Sequence, residues 1–262
     1  MLWPVLLPFA LVGAFVLLLF TVALIEKRLI CPYVAFPPDL TVELPPYVQE
    51  MGVDLLASQF NYDATLSHAK YPLIKIIGTV WMSPAKEILV VTGSGKVAGM
   101  AAKQTWLYTP LADGTYLVTT DQNDEGDHSR LLRVRRLINL RFTDLLKLHS
   151  KRIHSQIHDV RSFAEANGVD ALTAFHYRKS MALVHLGRAR WADTDQRFWR
   201  YTVSGATCVC LNFFWQFAAA LPQFWRVNLG PIAAPFSSNH EQTILDAFEK
   251  LNASKAKREL MQ

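Results

Sequence analysis

The chain is 262 residues long, which is enough for one or two domains with a substantial core. Apolar residues make up 51% of it and charged residues only 19%, a balance that indicates membrane association and not an ordinary soluble protein. The formal net charge is +5, and three cysteines are too few for the disulfide framework of a small secreted domain.

The first 25 residues contain no charged side chain. About 20 apolar residues cross the hydrocarbon core of a bilayer as a helix, so residues 1–25 are predicted to form a transmembrane anchor. A cleaved signal peptide is the competing interpretation, but it needs a positive N-terminal region and small residues at the cleavage site. Neither is present, because no Lys or Arg precedes the apolar run and the sequence LIEKRLICPY that follows offers no Ala-x-Ala site. A lipoprotein signal would need small residues just before the cysteine, but Leu29 and Ile30 precede Cys31. We therefore expect a retained signal-anchor.

The charges beside the anchor predict its orientation. Lys27 and Arg28 follow the apolar run directly, and only the free amino terminus lies before it. The positive-inside rule then places residues from Glu26 onward in the cytoplasm. The expected location is a bacterial inner membrane or an equivalent membrane, with the main domain on the cytoplasmic side.

Residues 26–60 are predicted to form a proline-rich spacer and a short helix. Five prolines lie between Cys31 and Tyr47, which indicates a stiff extended segment. The helix that follows has Val48, Met51 and Leu55 on its apolar side.

Residues 61–200 are predicted to form one cytoplasmic α+β domain built on an antiparallel β-meander. Between Tyr71 and Asp121, four segments are rich in β-branched and aromatic residues and are separated by short turn signals. Those segments read PLIKIIGTVWMS, KEILVVT, VAGMAAKQTWLYTPL and GTYLVTTD. The strands are expected to pack against the helices that follow.

The second of these segments runs into Gly93-Ser94-Gly95, which looks like a phosphate-binding loop. A Walker-type loop needs a glycine five positions before the Gly-Lys pair and a hydroxyl after it, but Val90 and Val97 occupy those positions. The glycines also fit no dinucleotide fingerprint, because their spacing is one residue too long. We therefore predict a hairpin turn at Gly93–Gly95 and no cofactor.

Three groups of residues suggest metal ligands without completing a site. Asp121, Asp124 and Asp127 lack the rest of a calcium loop. The pair His154 and His158, with His149 nearby, has no acidic or thiol ligand at a matching position, and Cys208 and Cys210 lie in an apolar run. We predict no metal.

The segment from Arg130 to Ile157 is basic and is predicted to be helical. Phe142, Leu145, Leu146, Ile153 and Ile157 recur at helical spacing, with His149 between them. The opposite face is positive, and it is our candidate for contact with anionic lipid headgroups or a protein partner. Its residues are Arg130, Arg133, Arg135, Arg136, Arg141, Lys147, Lys151 and Arg152.

Residues 170–202 suggest a different activity. Asp170 is a candidate helix cap, the helix ends by Gly187, and two short strands follow around Asp193–Gln196. A helix followed by such a hairpin resembles the recognition helix and wing of winged-helix DNA-binding domains. The candidate nucleic-acid residues are Arg178, Lys179, Arg188, Arg190 and Arg197.

A second uncharged stretch, residues 201–225, is long enough for another membrane helix, and residues 226–262 form a C-terminal tail. If residues 201–225 cross the bilayer, the tail ends on the far side. A helix buried in the domain or lying flat on the membrane is the alternative.

No catalytic motif is recognisable, so the leading hypothesis is a membrane-anchored, non-enzymatic binding or scaffold module with a basic cytoplasmic face. The expected partners are the membrane, anionic headgroups and a protein of a membrane complex. A membrane-tethered nucleic-acid-binding regulator and an enzyme of unknown reaction are the alternatives.

Overall fold

The computed structural model describes residues 3–37, 40, 42–68, 74–97, 99–121, 129–137, 140–156 and 158–211; for some of these, including residues 3–12 and Arg136, only the backbone is described. The predictions for 212–225 and for the tail lie outside the described residues. The elements are α1 (Trp3–Ile25), β1 (Arg28–Leu29), β2 (Tyr33–Ala35), α2 (Pro46–Ala57), β3 (Asn61–His68), β4 (Ile74–Met82), β5 (Leu89–Val97), β6 (Met100–Pro110), β7 (Tyr116–Thr120), β8 (Leu132–Arg136), α3 (Phe142–His154), α4 (Gly168–His185), β9 (Ala189–Trp191), β10 (Phe198–Tyr201) and α5 (203–211).

The fold is mixed α+β and is dominated by a seven-stranded sheet in the order β2-β3-β4-β5-β6-β7-β8. Consecutive strands from β2 to β7 are antiparallel, and only β7 and β8 run parallel. The predicted four-stranded meander is confirmed as β4 to β7. It is longer in the structure because strands on both sides continue the sheet.

Alternate residues of the sheet build two cores, one on each face. Val80 packs in a cluster with Phe175 of α4, whereas its neighbour Trp81 packs in a cluster with Phe142 of α3. Helices therefore cover both faces: α4 lies on one side, and α2 and α3 lie on the other. Burial on both faces explains the consecutive apolar residues at the start of β5, Leu89–Val91, and of β7, Tyr116–Val118.

The hairpin predicted around Gly93–Gly95 is confirmed, but the predicted position of its turn is wrong. β5 continues through Gly93 and Gly95 to Val97 and pairs with β6, so the turn lies near Gly99, whose φ is +82°. A Cβ on Gly95 would lie 1.8 Å from the carbonyl oxygen of Lys75, and one on Gly78 would lie 2.0 Å from that of Thr92. These glycines allow adjacent strand backbones to approach closely, which the sequence pattern does not distinguish from a turn.

The predicted helix over 130–157 was wrong in its first part. Leu132–Arg136 is a strand, because Leu132 and Val134 alternate with arginines and pack against the core on the α4 side. The helix begins at Phe142. Within α3, the predicted burial of Phe142, Leu145 and Ile153 is confirmed, and His149 is buried with them.

The spacer prediction was also wrong in part. Tyr33–Ala35 is not free of the domain, since it pairs with β3 as the edge strand β2. β3 itself, Asn61–His68, was not predicted, because its polar residues carry little strand signal. The helix within 26–60 is confirmed as α2, which buries Val48 and Leu55.

A second, three-stranded sheet has the order β1-β10-β9. Its Trp199 and Tyr201 pack in one cluster with Ala23 of α1, Leu183 of α4 and Ala206 of α5. The end of α1 is therefore part of the folded domain. In α1 the described side chains begin at Gly13, and no helix counted over described side chains is both long and apolar enough to cross a membrane.

Candidate binding surface

The basic segment folds into β8, at one edge of the large sheet, and α3, which contacts β8 through Arg152. Arg133 and Arg135 alternate with the core residues of β8, so both are exposed on the α3 side. We define the basic surface as the exposed side chains of Arg130, Arg133, Arg135, Arg141, Lys147 and Lys151. The side chain of Arg136 lies outside the described residues.

Arg152 fixes the position of α3 against this edge. Its guanidinium donates to the carbonyl oxygen of Val118 in β7, to Thr119 Oγ1 at 2.8 Å, and to the carbonyl oxygen of Arg133 in β8 at 2.6 Å. The flank of α3 that carries Arg152 therefore faces β8. Because its donors bind the protein's own backbone, Arg152 positions the surface and is not part of its exposed charge.

His149 lies beneath this contact and is completely buried. Its Nε2 lies 3.0 Å from Thr109 Oγ1 and its Nδ1 lies 2.9 Å from Thr119 Oγ1, so one ring nitrogen donates and the other accepts. Burial, together with a smaller contribution from the nearby Arg152 charge, lowers the pKa of His149 to about 3. Burial also lowers the pKa of Arg152 to about 10, with Arg135 adding to the effect.

Two carboxylates neutralise part of the basic surface. Asp113 pairs with Arg133, and Asp144 lies 3.5 Å from Arg141 and 4.0 Å from Lys147. Hydrogen bonds from Thr115 lower the pKa of Asp113, with the Arg133 charge adding to them. Exposed ion pairs contribute only about 0–1 kcal/mol each, so an incoming carboxylate can replace them at low cost.

The residues of the nucleic-acid alternative do not form a comparable group. Arg178 donates to Tyr116 Oη at 3.0 Å and lies 3.9 Å from Glu165, so it is held against the large sheet. Arg190 and Arg197 are exposed on the β9–β10 hairpin, while Lys179 and Arg188 are half-buried.

The winged-helix resemblance covers only local structure. The predicted helix and hairpin are confirmed as α4, β9 and β10, although the N-cap is Asn167 and not Asp170. However, α4 packs on the seven-stranded sheet, and β1 adds a third strand to the hairpin. α3, the helix before α4, packs on the other sheet face, so these two helices do not form a helix-turn-helix.

The remaining candidate ligands have structural surroundings. Asp121 accepts hydrogen bonds from the Thr105 amide at 2.7 Å and from Tyr47 Oη at 3.1 Å, which ties the end of β7 to α2; Asp124 and Asp127 lie outside the described residues. His154 and His158 are exposed, and Cys210 is buried. Within the described part of the chain, no group of three or more His, Cys, Asp or Glu side chains is arranged to hold a metal ion.

The sequence analysis missed a polar cluster between β2 and α4. Cys31 Sγ donates to the carbonyl oxygen of Tyr33, and Tyr33 Oη accepts from Gln104 Nε2 at 3.2 Å. The Tyr33 ring lies 5.6 Å from the ring of His68 and 5.9 Å from that of His176. Burial raises the pKa of Cys31 and lowers that of His176 to about 3. These residues are far apart in sequence, so no spacing could have indicated the cluster.

The arrangement as a whole offers an exposed cationic surface and a half-buried thiol, and no recognisable catalytic group in the described residues. Comparisons with protein families, with curated proteins and with solved structures find no match for this chain.

Proposed function

We propose that this chain is a membrane-anchored, non-enzymatic binding module whose basic surface binds an acidic surface of a protein partner. The observation that carries the proposal is the collection of six exposed cationic side chains along β8 and α3, of which Arg133, Arg141 and Lys147 pair with Asp113 or Asp144. Such an excess attracts anions and speeds association with them.

The position of the basic surface favours a protein over the lipid headgroups next to α1. α1 connects to the large sheet through β2, which is the edge strand opposite β8. Six inter-strand spacings separate these two strands, a distance of about 29 Å. Exposed charges interact over only about 8 Å at physiological ionic strength, so headgroups near α1 are too distant to dominate.

The anchor is the second part of the proposal. Residues 3–25 form one uninterrupted helix without a charged residue, and this length suffices to cross a bilayer. Ala206 near the start of α5 and Ala23 near the end of α1 are buried in the same hydrophobic cluster. Small residues between helices suit association within membranes. We propose that the uncharged segment 201–225 continues α5 across the bilayer, antiparallel to α1.

We expect reversal of three charges on the basic surface to abolish recovery of the partner. The variant carries Arg135→Glu, Lys147→Glu and Lys151→Glu in the full-length protein. Affinity should fall at least tenfold, because like charges then face each other across the interface. The measurement is quantitative mass spectrometry of proteins co-purified from detergent extracts, at two salt concentrations.

The matched control is the variant Lys75→Glu, Lys96→Glu, Arg190→Glu, which has the same net charge and changes exposed residues away from β8. It should recover the partner as the parent protein does. Equal recovery by both triple variants would contradict the proposal. Binding of the purified protein to anionic vesicles, with loss of that binding in the first variant, would instead identify lipid as the ligand.

The proposed anchor predicts both membrane retention and the location of the C-terminus, and each is tested by a yes-or-no result. The protein should stay in membranes during alkaline carbonate extraction, and a reporter fused after Gln262 should lie on the side of the membrane opposite the domain. Two reporters locate the C-terminus. One is a phosphatase that is active only outside the cytoplasm, and the other is a fluorescent protein that matures only inside it. A cytoplasmic C-terminal reporter would exclude the second crossing, and release by carbonate would exclude the anchor.

A further inference from the structure

An open groove of about 540 Å³ lies where the chain leaves α1 and passes α4. Leu29, Ile30 and Cys31 form one wall, and Ala174 and Tyr177 of α4 form the other. The Ile30 amide donates to the carbonyl oxygen of Arg197 at 3.2 Å, so the β9–β10 hairpin is fixed at the rim. The volume is within the range of small-ligand sites.

Arg197 is the positively charged residue that lines this groove. Its side chain is exposed, and among the described residues no carboxylate forms an ion pair with it. Its backbone amide is held by Asp193 Oδ2 at 3.3 Å, which fixes the base of the side chain. An exposed guanidinium beside an apolar wall suits an anionic group that is attached to an apolar chain.

Asp170 also lines the groove, but its charge is compensated locally. Its carboxylate accepts from Asn167 Nδ2 at 2.9 Å, and it lies in the first turn of α4, where the helix dipole stabilises a negative charge. Tyr177, which is stacked on Trp191 of the hairpin, lies seven residues further along α4. This corresponds to about 10 Å of helix, so the carboxylate and the hairpin mark opposite ends of the groove.

We propose that the groove binds a single-chain anionic amphiphile, a fatty acid or a lysophospholipid, with its headgroup at Arg197 and its chain along Ile30 and Ala174. Leu29 follows the last residue of α1 by four positions, so the site lies within about 14 Å of the end of that helix. The inference rests on the proposed anchorage, which keeps the groove at a source of amphiphile, and it does not involve the basic surface.

Cys31 provides a built-in reporter of occupancy, because it lines the groove and is a free thiol. The full-length protein is placed in phosphatidylcholine nanodiscs and treated with N-ethylmaleimide at pH 8.5. Peptide mass spectrometry follows the fraction of Cys31 that is modified over time. Palmitate should slow modification of Cys31 at least tenfold, whereas methyl palmitate at the same mole fraction should slow it much less.

Two variants and one control define the site. Arg197→Gln should remove the difference between palmitate and its ester, and Ala174→Trp should fill the groove and remove protection by both. Arg190→Gln, an exposed arginine on the same small sheet, should behave as the parent protein. An unchanged melting temperature shows that each variant is folded, and a variant that fails this criterion is replaced by Arg197→Lys or Ala174→Phe.

Several outcomes would overturn the proposal. These are no protection by palmitate, equal protection by the methyl ester, or a difference between palmitate and its ester that survives Arg197→Gln. A lysophospholipid should protect as palmitate does. Protection by added phosphatidylglycerol without any single-chain lipid would overturn the single-chain assignment. Loss of the protein from nanodiscs would contradict the anchor and is recorded separately, so the two failures are distinguishable.

Discussion

The protein is expected to lose stability steeply below pH 6.5 because His149 is buried in its neutral form. The folded-state pKa of His149 is about 3, whereas an unfolded histidine titrates near 6.5. Between these values the unfolded state binds a proton that the folded state excludes, so the stabilisation is complete above about pH 6.5 and is lost as the pH falls toward 3. In this range His149 should lower the free energy of unfolding by about 1.4 kcal/mol for each unit by which the pH falls.

A glutamine at position 149 separates this effect from general acid unfolding. His149→Gln should lower the free energy of unfolding at pH 7 by about 1–2 kcal/mol, because hydrogen bonds to Thr109 and Thr119 become imperfect. The variant should also lose the pH dependence that His149 contributes. The parent protein and the variant should therefore have equal free energies of unfolding at about pH 5.5. Urea unfolding at half-unit pH intervals measures both quantities.

The control for His149 is His154, which is exposed and lies five residues further along α3. The His154→Gln variant should have the same free energy of unfolding as the parent protein at every pH. The account of the buried histidine fails if His149→Gln and the parent protein lose stability in parallel between pH 7 and pH 4.

Alanine at Gly95 is expected to destabilise the protein by about 3 kcal/mol or more, which is large for a single added methyl group. The new Cβ would lie 1.8 Å from the Lys75 carbonyl oxygen and 2.9 Å from the Ile76 Cα, and both are backbone atoms of β4. A backbone obstacle cannot rotate away as a side chain does, so β4 and β5 must separate. Thermal unfolding of the purified variant measures the loss.

Gly99→Ala is the matched control, because a Cβ there meets nothing within 4 Å but the residue has a positive φ of 82°. It should cost only about 1 kcal/mol, the strain of an alanine in that conformation. Equal losses at the two positions would contradict the close approach of β4 and β5. If a nucleotide raised the melting temperature and Gly95→Ala abolished this effect, the segment would have to be interpreted as a phosphate-binding loop.

Local pattern was sufficient for the elements with strong periodicity. The meander from β4 to β7 combines β-branched residues with turn signals, and α3 has core residues at helical spacing, so both were predictable. β8 was not, because Leu132-Arg133-Val134-Arg135 fits a strand or a basic helix until its neighbour β7 is known. β3 was not predicted either, because its strand character depends on pairing with β2 and β4 and not on its own polar residues.

The candidate sites divide in the same way. The basic surface was predictable as a list of residues, since an excess of arginine and lysine is visible in the sequence. Its geometry was not, because Arg152 holds α3 against β8 while Lys147 and Lys151 of the same helix are exposed. The groove beside Cys31 could not be predicted, since its walls come from residues near 30, near 174 and at 197.

Single segments of the chain were enough to indicate three features: the uncharged N-terminal run, the strands with alternating β-branched residues, and the excess of positive charge after residue 130. Folding added the features that depend on the distance between segments. It gave Gly78 and Gly95 a role in the close approach of strands, enclosed His149 between two threonines, and brought Arg197 to the groove beside α4. The physical reason is that a propensity acts within about one turn of chain, whereas packing and hydrogen bonding join residues more than a hundred positions apart.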